Sequence, residues 1–377
     1  MKKIIAILLA AALAVSAAAC TSEKSSGSSS RTEESASRSE ETTGSEEKGS
    51  AQIAADSEEI ENQLKKLEAS GICGVVWAER DGKKIASYSN GALYNDVKIT
   101  TDTPMPIGSV SKQFCAAAIL ILQERGRLSV NDTLDRCYPE YAEGRKTTLH
   151  NMLSQRSGIV NLDASTPLGE VTYDKTDEEN TSALLGWLFK QPLGFEPGDR
   201  YEYSNFNFIL LGNIVEKVSG QKYVDFLREN IFKPLKMDHS GSVDELGSSP
   251  GWAEGFSYTN DDFVPVGIQP GLCKGAGDLV SNAADMTVWM NALPSGRVIS
   301  AESYKAMTTD YSPKEHYGYG IRVNFSGGVG HFGLNGHFLA FDYINEKKKI
   351  TLFMAFSTGG ESKMTEAYFG MLGAINN

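Results

Sequence analysis

From Lys112 to Leu122 the chain reads Lys-Gln-Phe-Cys-Ala-Ala-Ala-Ile-Leu-Ile-Leu, a long apolar helix whose close is marked by Gly126. Gly108 ends the extended stretch that carries Pro104 and Pro106, so Ser109 falls at the start of that helix. Residues three apart share a helix face, which brings the Lys112 amine within reach of the Ser109 hydroxyl. The helix N-terminus adds free backbone N–H groups that favour a developing negative charge. A serine hydroxyl at its ordinary pKa is a poor nucleophile and needs an adjacent base. Lys112 can serve as that base if burial and neighbouring cations lower its pKa. A Ser three residues before a Lys also arises by chance, so the spacing gains weight only from what accompanies it.

Two distant segments accompany it, Tyr203-Ser204-Asn205 and His331-Phe332-Gly333. With Ser109-Val110-Ser111-Lys112 they supply the parts of an acyl-transfer site, and together they point to a serine hydrolase. A phenol works as a base near neutrality only beside positive charge. Lys112 is one such charge, and His331 is placed to be a second.

In this combination the chain resembles the serine β-lactamase and penicillin-recognising family, on the branch of class C β-lactamases, D-alanyl-D-alanine carboxypeptidases and related esterases. Further stretches fit that branch in order. They are Thr148 to Leu153 leading to Ser157-Gly158-Ile159, Phe195-Glu196-Pro197-Gly198 ahead of Tyr203, Gly212, Ser219-Gly220, and Phe232 to Met237. Gly275 to Leu279 and Tyr317-Gly318-Tyr319-Gly320 complete the series, so the likeness spans about residues 58 to 377. The resemblance implies an α/β (α+β) fold: an antiparallel sheet flanked by helices, a mostly helical subdomain, and the active site in the cleft between them. It implies Ser109 as nucleophile, Lys112 as proton acceptor or orienting cation, and Tyr203 as the phenol that passes a proton to the leaving group. Asn205 would hold the substrate's amide. The N–H groups of Ser109 and Leu334, the latter just after Gly333, would form the oxyanion hole, each donor contributing on the order of 3 kcal/mol in the transition state. The implied substrates are peptidoglycan stem peptides, β-lactams or esters, with no cofactor. The Glu-bearing loop motif of class A enzymes is not evident, so Tyr203 is expected to direct deacylation.

Phe332 departs from the family, whose members commonly carry Thr or Ser there to hold a substrate carboxylate. A ring cannot donate that hydrogen bond. Ester or amide substrates without the carboxylate therefore gain ground over penicillins and terminal D-alanine. The contrasting reading is a catalytically weak protein that keeps the fold to bind wall peptides. The acyl donor itself depends on cleft loops such as Trp252 to Tyr258.

The N-terminus reads as an export signal: Lys2-Lys3, an apolar run from Ile4 to Ala19, then Ala17-Ala18-Ala19-Cys20. Small residues directly before Cys20 resemble a bacterial lipoprotein cleavage site, which makes residues 1–20 a signal peptide and Cys20 the lipidated first residue of the mature protein. Residues 21–55 are rich in Ser, Glu, Thr and Gly and cannot bury enough surface to fold. As a coil, about 35 such residues span roughly 30 to 35 Å, enough to hold a domain off the extracytoplasmic face of the membrane.

Residues 56–377 read as one hydrolase domain, expected to be a monomer. Glu58 to Glu68 is an amphipathic helix, and Gly74 to Trp77 and Lys84 to Tyr88 are strands joined through Asp81-Gly82. Lys349 to Phe356 is a buried strand and the tail after Glu361 a helix, so both ends feed one antiparallel sheet, while the middle to about Gly271 is mostly helix and loop. A net charge of −12 and a pI near 5.1 argue against a nucleic-acid partner. Cys73, Cys115, Cys137 and Cys273 leave disulfides open in an exported protein. The scattered histidines and the lack of paired Cys-x-x-Cys give no metal-ligand spacing.

Overall fold

Phe338–Asn345 and Ile350–Phe356 are buried along their whole length, and they form the centre of a seven-stranded antiparallel sheet. The structure is a computed structural model that describes residues 52–92, 98–161, 175–246, 255–259, 262–266, 273–335, 338–357 and 361–377. The sheet runs in the order β1 (Gln52–Ala55), β3 (Lys83–Asn90), β2 (Gly74–Arg80), β12 (Ile350–Phe356), β11 (Phe338–Asn345), β10 (Gly328–Asn335) and β9 (Arg322–Phe325). The two ends of the domain meet where β2 pairs with β12, from Arg80 opposite Ile350 to Gly74 opposite Phe356. Asp81 and Gly82 turn β2 into β3 with φ of 52° and 70°, the left-handed pair that a tight hairpin with the right twist requires.

Central strands are covered on both faces, which is why their sequences run apolar instead of alternating. One face carries α1 (Glu58–Ala69) and α8 (Glu361–Asn376), with Leu64, Leu352, Met354, Tyr368 and Met371 in one core. The other face receives Phe353, Ala355 and Ala340 against the helical part of the molecule. There α2 (Ser111–Glu124) is buried from Ser111 to Leu122 and packs beside α5 (Asn205–Ser219). Phe114 of α2 stacks on Trp289 of α6 (Ala283–Ala292), ring centres 4.0 Å apart. Each buried Leu or Ile side chain contributes about 1.5–3 kcal/mol relative to exposure, so α2 is fixed by its surroundings on every side.

The same part of the molecule holds α3 (Leu149–Leu153), opened by a Thr148–Asn151 capping box and packed beside α5, together with α4 (Asp177–Leu188) and α7 (Ala301–Met307), which packs beside α2. As expected, the described residues from α2 to residue 271 are mostly helix and loop, with short strands among them. A small sheet joins β4 (Met105–Pro106), β8 (Leu279–Ser281) and β5 (Gly241–Ser242), and β6 (Gly255–Thr259) pairs with β7 (Asp262–Val266). Pieces of two or three residues are too short to show a period of two. Of the expected cleft loop 252–258, residues 252–254 lie outside the described residues and the remainder belongs to β6. Strand β1 falls inside the stretch read as tether, because its four residues pair with β3 at the sheet edge while their composition is dominated by polar neighbours. The signal peptide, Cys20 and the rest of the tether lie outside the described residues.

Candidate active site

Ser109 sits on a short 3-10 turn, Gly108–Val110, that feeds directly into α2. Gly108 has a φ of 50°, and a Cβ there would stand 2.7 Å from the Leu334 nitrogen. A Cβ on Gly333 would stand 1.9 Å from the Ile107 carbonyl oxygen and 3.1 Å from the Ser109 nitrogen. Glycine on both sides therefore lets the nucleophile turn cross β10 at backbone contact. That crossing gathers the Ser109 and Leu334 amides, the two groups that the family resemblance assigns to an oxyanion.

Lys112 is wholly buried, and its Nζ donates to Ser109 Oγ (2.9 Å), Asn205 Oδ1 (2.9 Å) and the Ala276 carbonyl oxygen (2.5 Å). None of these partners carries a charge. Burial therefore lowers the Lys112 pKa to about 7. When the amine is neutral, two N–H groups can stay on Asn205 and Ala276 while the nitrogen lone pair accepts the Ser109 proton.

Tyr203 donates its O–H to Ser109 Oγ at 2.8 Å. Burial pushes the Tyr203 pKa up, so the group remains a phenol and a donor. Its place is fixed from behind by Gln155: the Gln155 carbonyl accepts the Glu202 N–H, and Oε1 accepts from the Ser204 N–H (2.9 Å) and Asn207 Nδ2 (2.6 Å). Asn205 opens α5 with its N–H on Asn161 Oδ1. Because Asn205 Oδ1 is taken by Lys112, its Nδ2 is the group able to donate to a substrate carbonyl.

Two expectations from the third segment are corrected. His331 is buried, its Nδ1 lies 2.7 Å from the Phe332 carbonyl oxygen and its Nε2 2.9 Å from the Tyr317 hydroxyl. A carbonyl only accepts, so Nδ1 carries the proton and Nε2 accepts from Tyr317. Burial, with the Arg322 and Lys112 charges, holds the His331 pKa well below its usual value. His331 is thus a neutral, clamped ring and not the second cation. A positive charge that opposes the rise in the Tyr203 pKa is that of Arg322, on the strand beside β10, where Arg322 pairs opposite Gly330. Its guanidinium carbon lies 5.8 Å from the Tyr317 ring centre, and its buried Nε has no hydrogen-bond partner among the described residues. No local spacing in the sequence singles out Arg322, because it acts from the strand that pairs with β10.

Phe332 points away from the cleft. Successive strand residues alternate faces, and its ring packs 5.2 Å from Phe341, 5.2 Å from Tyr368 and 5.4 Å from Phe325, under α8. The ring neither blocks nor lines the site, so its lack of a hydroxyl does not set the substrate. Cys115 is buried in the core, where desolvation pushes its thiol pKa up. Among the described residues no three His, Cys, Asp or Glu side chains stand together to hold a metal ion.

Known proteins share the family and the fold of this chain. The family model described as Beta-lactamase matches residues 59–373. PbpX of Bacillus subtilis (strain 168) is 29% identical over 298 residues, covering 78% of this chain and 71% of that protein. The teichoic acid D-alanine hydrolase of Staphylococcus aureus (strain MRSA252) is 22% identical over 305 residues, 76% of this chain and 74% of its own length. The crystal structure of D-amino acid amidase from Ochrobactrum anthropi SV3 superposes with a TM-score of 0.71 at 23% identity, covering 85% of this chain and 98% of that one.

The position of Phe332 yields a direct expectation. Phe332→Thr should lose up to about 3 kcal/mol of stability, less than the usual cost of a fully buried Phe→Ala because the ring is only partly buried, seen as a lower Tm. Its acylation rate constant with a penicillin or a D-alanyl peptide should stay within about threefold of wild type, since the side chain faces α8. A selective gain with carboxylate substrates in a folded variant would show that the hydroxyl reaches the cleft after all.

Proposed function

The chain belongs to the β-lactamase family of serine hydrolases, and on that premise we propose that it cleaves D-alanyl or similar D-amino acyl amides and esters of the cell envelope through an acyl-enzyme on Ser109. The observation that carries this reading is the Ser109 hydroxyl held between a near-neutral buried amine and a protonated phenol. The names of two relatives, a teichoic acid D-alanine hydrolase and a D-amino acid amidase, support the substrate class. A second reading, an acyl donor that also bears a carboxylate, such as a β-lactam or a D-alanyl-D-alanine stem peptide, draws on Arg322, whose buried Nε has no hydrogen-bond partner among the described residues.

In the first step neutral Lys112 takes the Ser109 proton as Oγ bonds to the acyl carbon. The oxyanion forms against the Ser109 and Leu334 amides, where preorganised donors act without reorganisation. Tyr203, donating to Oγ, is poised to hand its proton to the departing nitrogen or oxygen, and Lys112 returns a proton to the phenol. Deacylation repeats the cycle with water in place of the leaving group, and Lys112 again supplies the basicity. The raised Tyr203 pKa makes the phenol the carrier of the proton in this cycle.

The substrate class is tested by mass spectrometry of the protein after exposure to D-alanyl esters, D-amino acid amides, D-alanyl-D-alanine peptides and penicillins. Adducts on Ser109 from the first two are expected. Adducts from carboxylate-bearing donors alone would favour the second reading, and labelling that survives Ser109→Ala would move the nucleophile elsewhere.

The base has its own signature. Acylation should rise with pH through about 7 as Lys112 loses its proton, then level off. Lys112→Arg, which stays protonated, should lower the rate constant by about 10²–10⁴-fold. A profile flat from pH 6 to 9 would exclude Lys112 as the titrating base.

The export reading extends the proposal to the extracytoplasmic face of the membrane, with Cys20 as the lipid anchor. Cells fed a labelled fatty acid should label the wild-type protein and spare Cys20→Ser. Equal labelling of both would contradict the anchor.

A further inference from the structure

Asp342 is a fully buried carboxylate on β11 that the chemistry above does not use. Both of its oxygens lie 2.8 Å from Gln113 Nε2, and Oδ1 also accepts the His331 backbone N–H at 2.7 Å. Gln113 follows Lys112 directly on α2, and His331 stands two residues before Gly333 on β10. Gln113 is itself buried and held by Trp289, whose Nε1 donates to Gln113 Oε1 at 3.1 Å. One carboxylate thus joins the helix that carries Lys112 and continues the Ser109 turn to the strand that carries the Leu334 amide.

We propose that Asp342 is a positioning residue: by clipping Gln113 to the His331 backbone it sets the distance between the nucleophile turn and β10, and so the geometry of the oxyanion hole. The inference rests on the acyl-serine reading of Ser109. The crossing at Gly108 and Gly333 is at backbone contact, so a slip of a few tenths of an ångström is felt there. Oxyanion donors act only within a narrow range, about 2.7–3.1 Å from the forming charge. A carboxylate is an expensive way to fill a core position, since an apolar side chain of similar volume is often as stable or more so. Its two acceptor oxygens, aimed at donors on two different elements, supply what an apolar residue lacks, a fixed register. Burial also raises the Asp342 pKa to about 7, beside that of Lys112, so the two groups have to be told apart in any pH profile.

The test uses the whole domain and a fluorophosphonate that titrates competent serines, so that rate constants are expressed per reactive site. Labelling of wild-type Ser109 first establishes the parent reading, and its failure would sink that reading independently of Asp342. Asp342→Ala and Gln113→Leu should each lower the acylation rate constant per site about tenfold or more, and the double variant should be no slower than the worse single one, because each breaks the same clip. Asp342→Asn keeps an acceptor oxygen and should recover to within about threefold of wild type, with the pH limb near 7 unmoved because that limb belongs to Lys112. If Asp342→Ala does not fold, the comparison of Asp342→Asn with Gln113→Leu decides. Unchanged rate constants with only fewer competent sites or a lower Tm would make Asp342 merely structural. Additive losses, or a pH limb that shifts in Asp342→Asn, would equally overturn the positioning role.

Discussion

The burial of the Lys112 amine among neutral partners is the constraint on which the rest of the structure depends. A charged ammonium in that place lacks a hydrogen-bonded counter-ion, and its neutral form is correspondingly favoured. The same enclosure that makes Lys112 a base keeps Tyr203 a phenol, so the two groups on Ser109 Oγ have opposite proton roles at one pH. That division of labour needs no second cation at His331. It needs only that α2 be sealed by β10, α5 and the loop at Ala276, and the glycines at 108 and 333 allow that seal to close at backbone distance.

Function of this kind carries a stability penalty with a definite pH dependence. Lys112, with a folded pKa below its unfolded one, weakens the fold at and below about pH 7, and the penalty fades as pH rises toward the ordinary lysine range. Asp342, with a folded pKa above its unfolded one, weakens it progressively from the ordinary carboxylate range up to about 7 and fully above that. Both penalties are therefore largest together near neutrality, where the enzyme's base is half-titrated. The apolar cores on both faces of the sheet have to offset them, which fits the continuous burial of α2, β11 and β12.

Much of this site was legible in the sequence because its parts are set by local spacing. Ser109 and Lys112 are one helical turn apart, Tyr203 and Asn205 open another helix, and the central strand Ile350–Phe356 shows as an apolar run. What was not legible are facts of facing and enclosure. Phe332 looked like a cleft residue until the alternation of β10 placed its ring under α8. His331 reads as a cation from its place in the sequence, but its two nitrogens are engaged by a carbonyl and a tyrosine. Arg322 acts from the strand paired with β10, and Asp342 bonds Gln113 from 229 residues away in the chain, so no local spacing announces them.

The most direct test of this account is the titration of Lys112 itself. Wild-type protein labelled at lysine side chains, followed by NMR against pH with Lys112→Met to assign the signal, should show one amine titrating near 7. Replacement of Ser109 by Ala should leave that midpoint close to 7, since burial and not the serine sets it. A Lys112 midpoint in the ordinary range near 10.4 would mean that the amine stays charged throughout, and neutral Lys112 could not then be the base on which the chemistry rests.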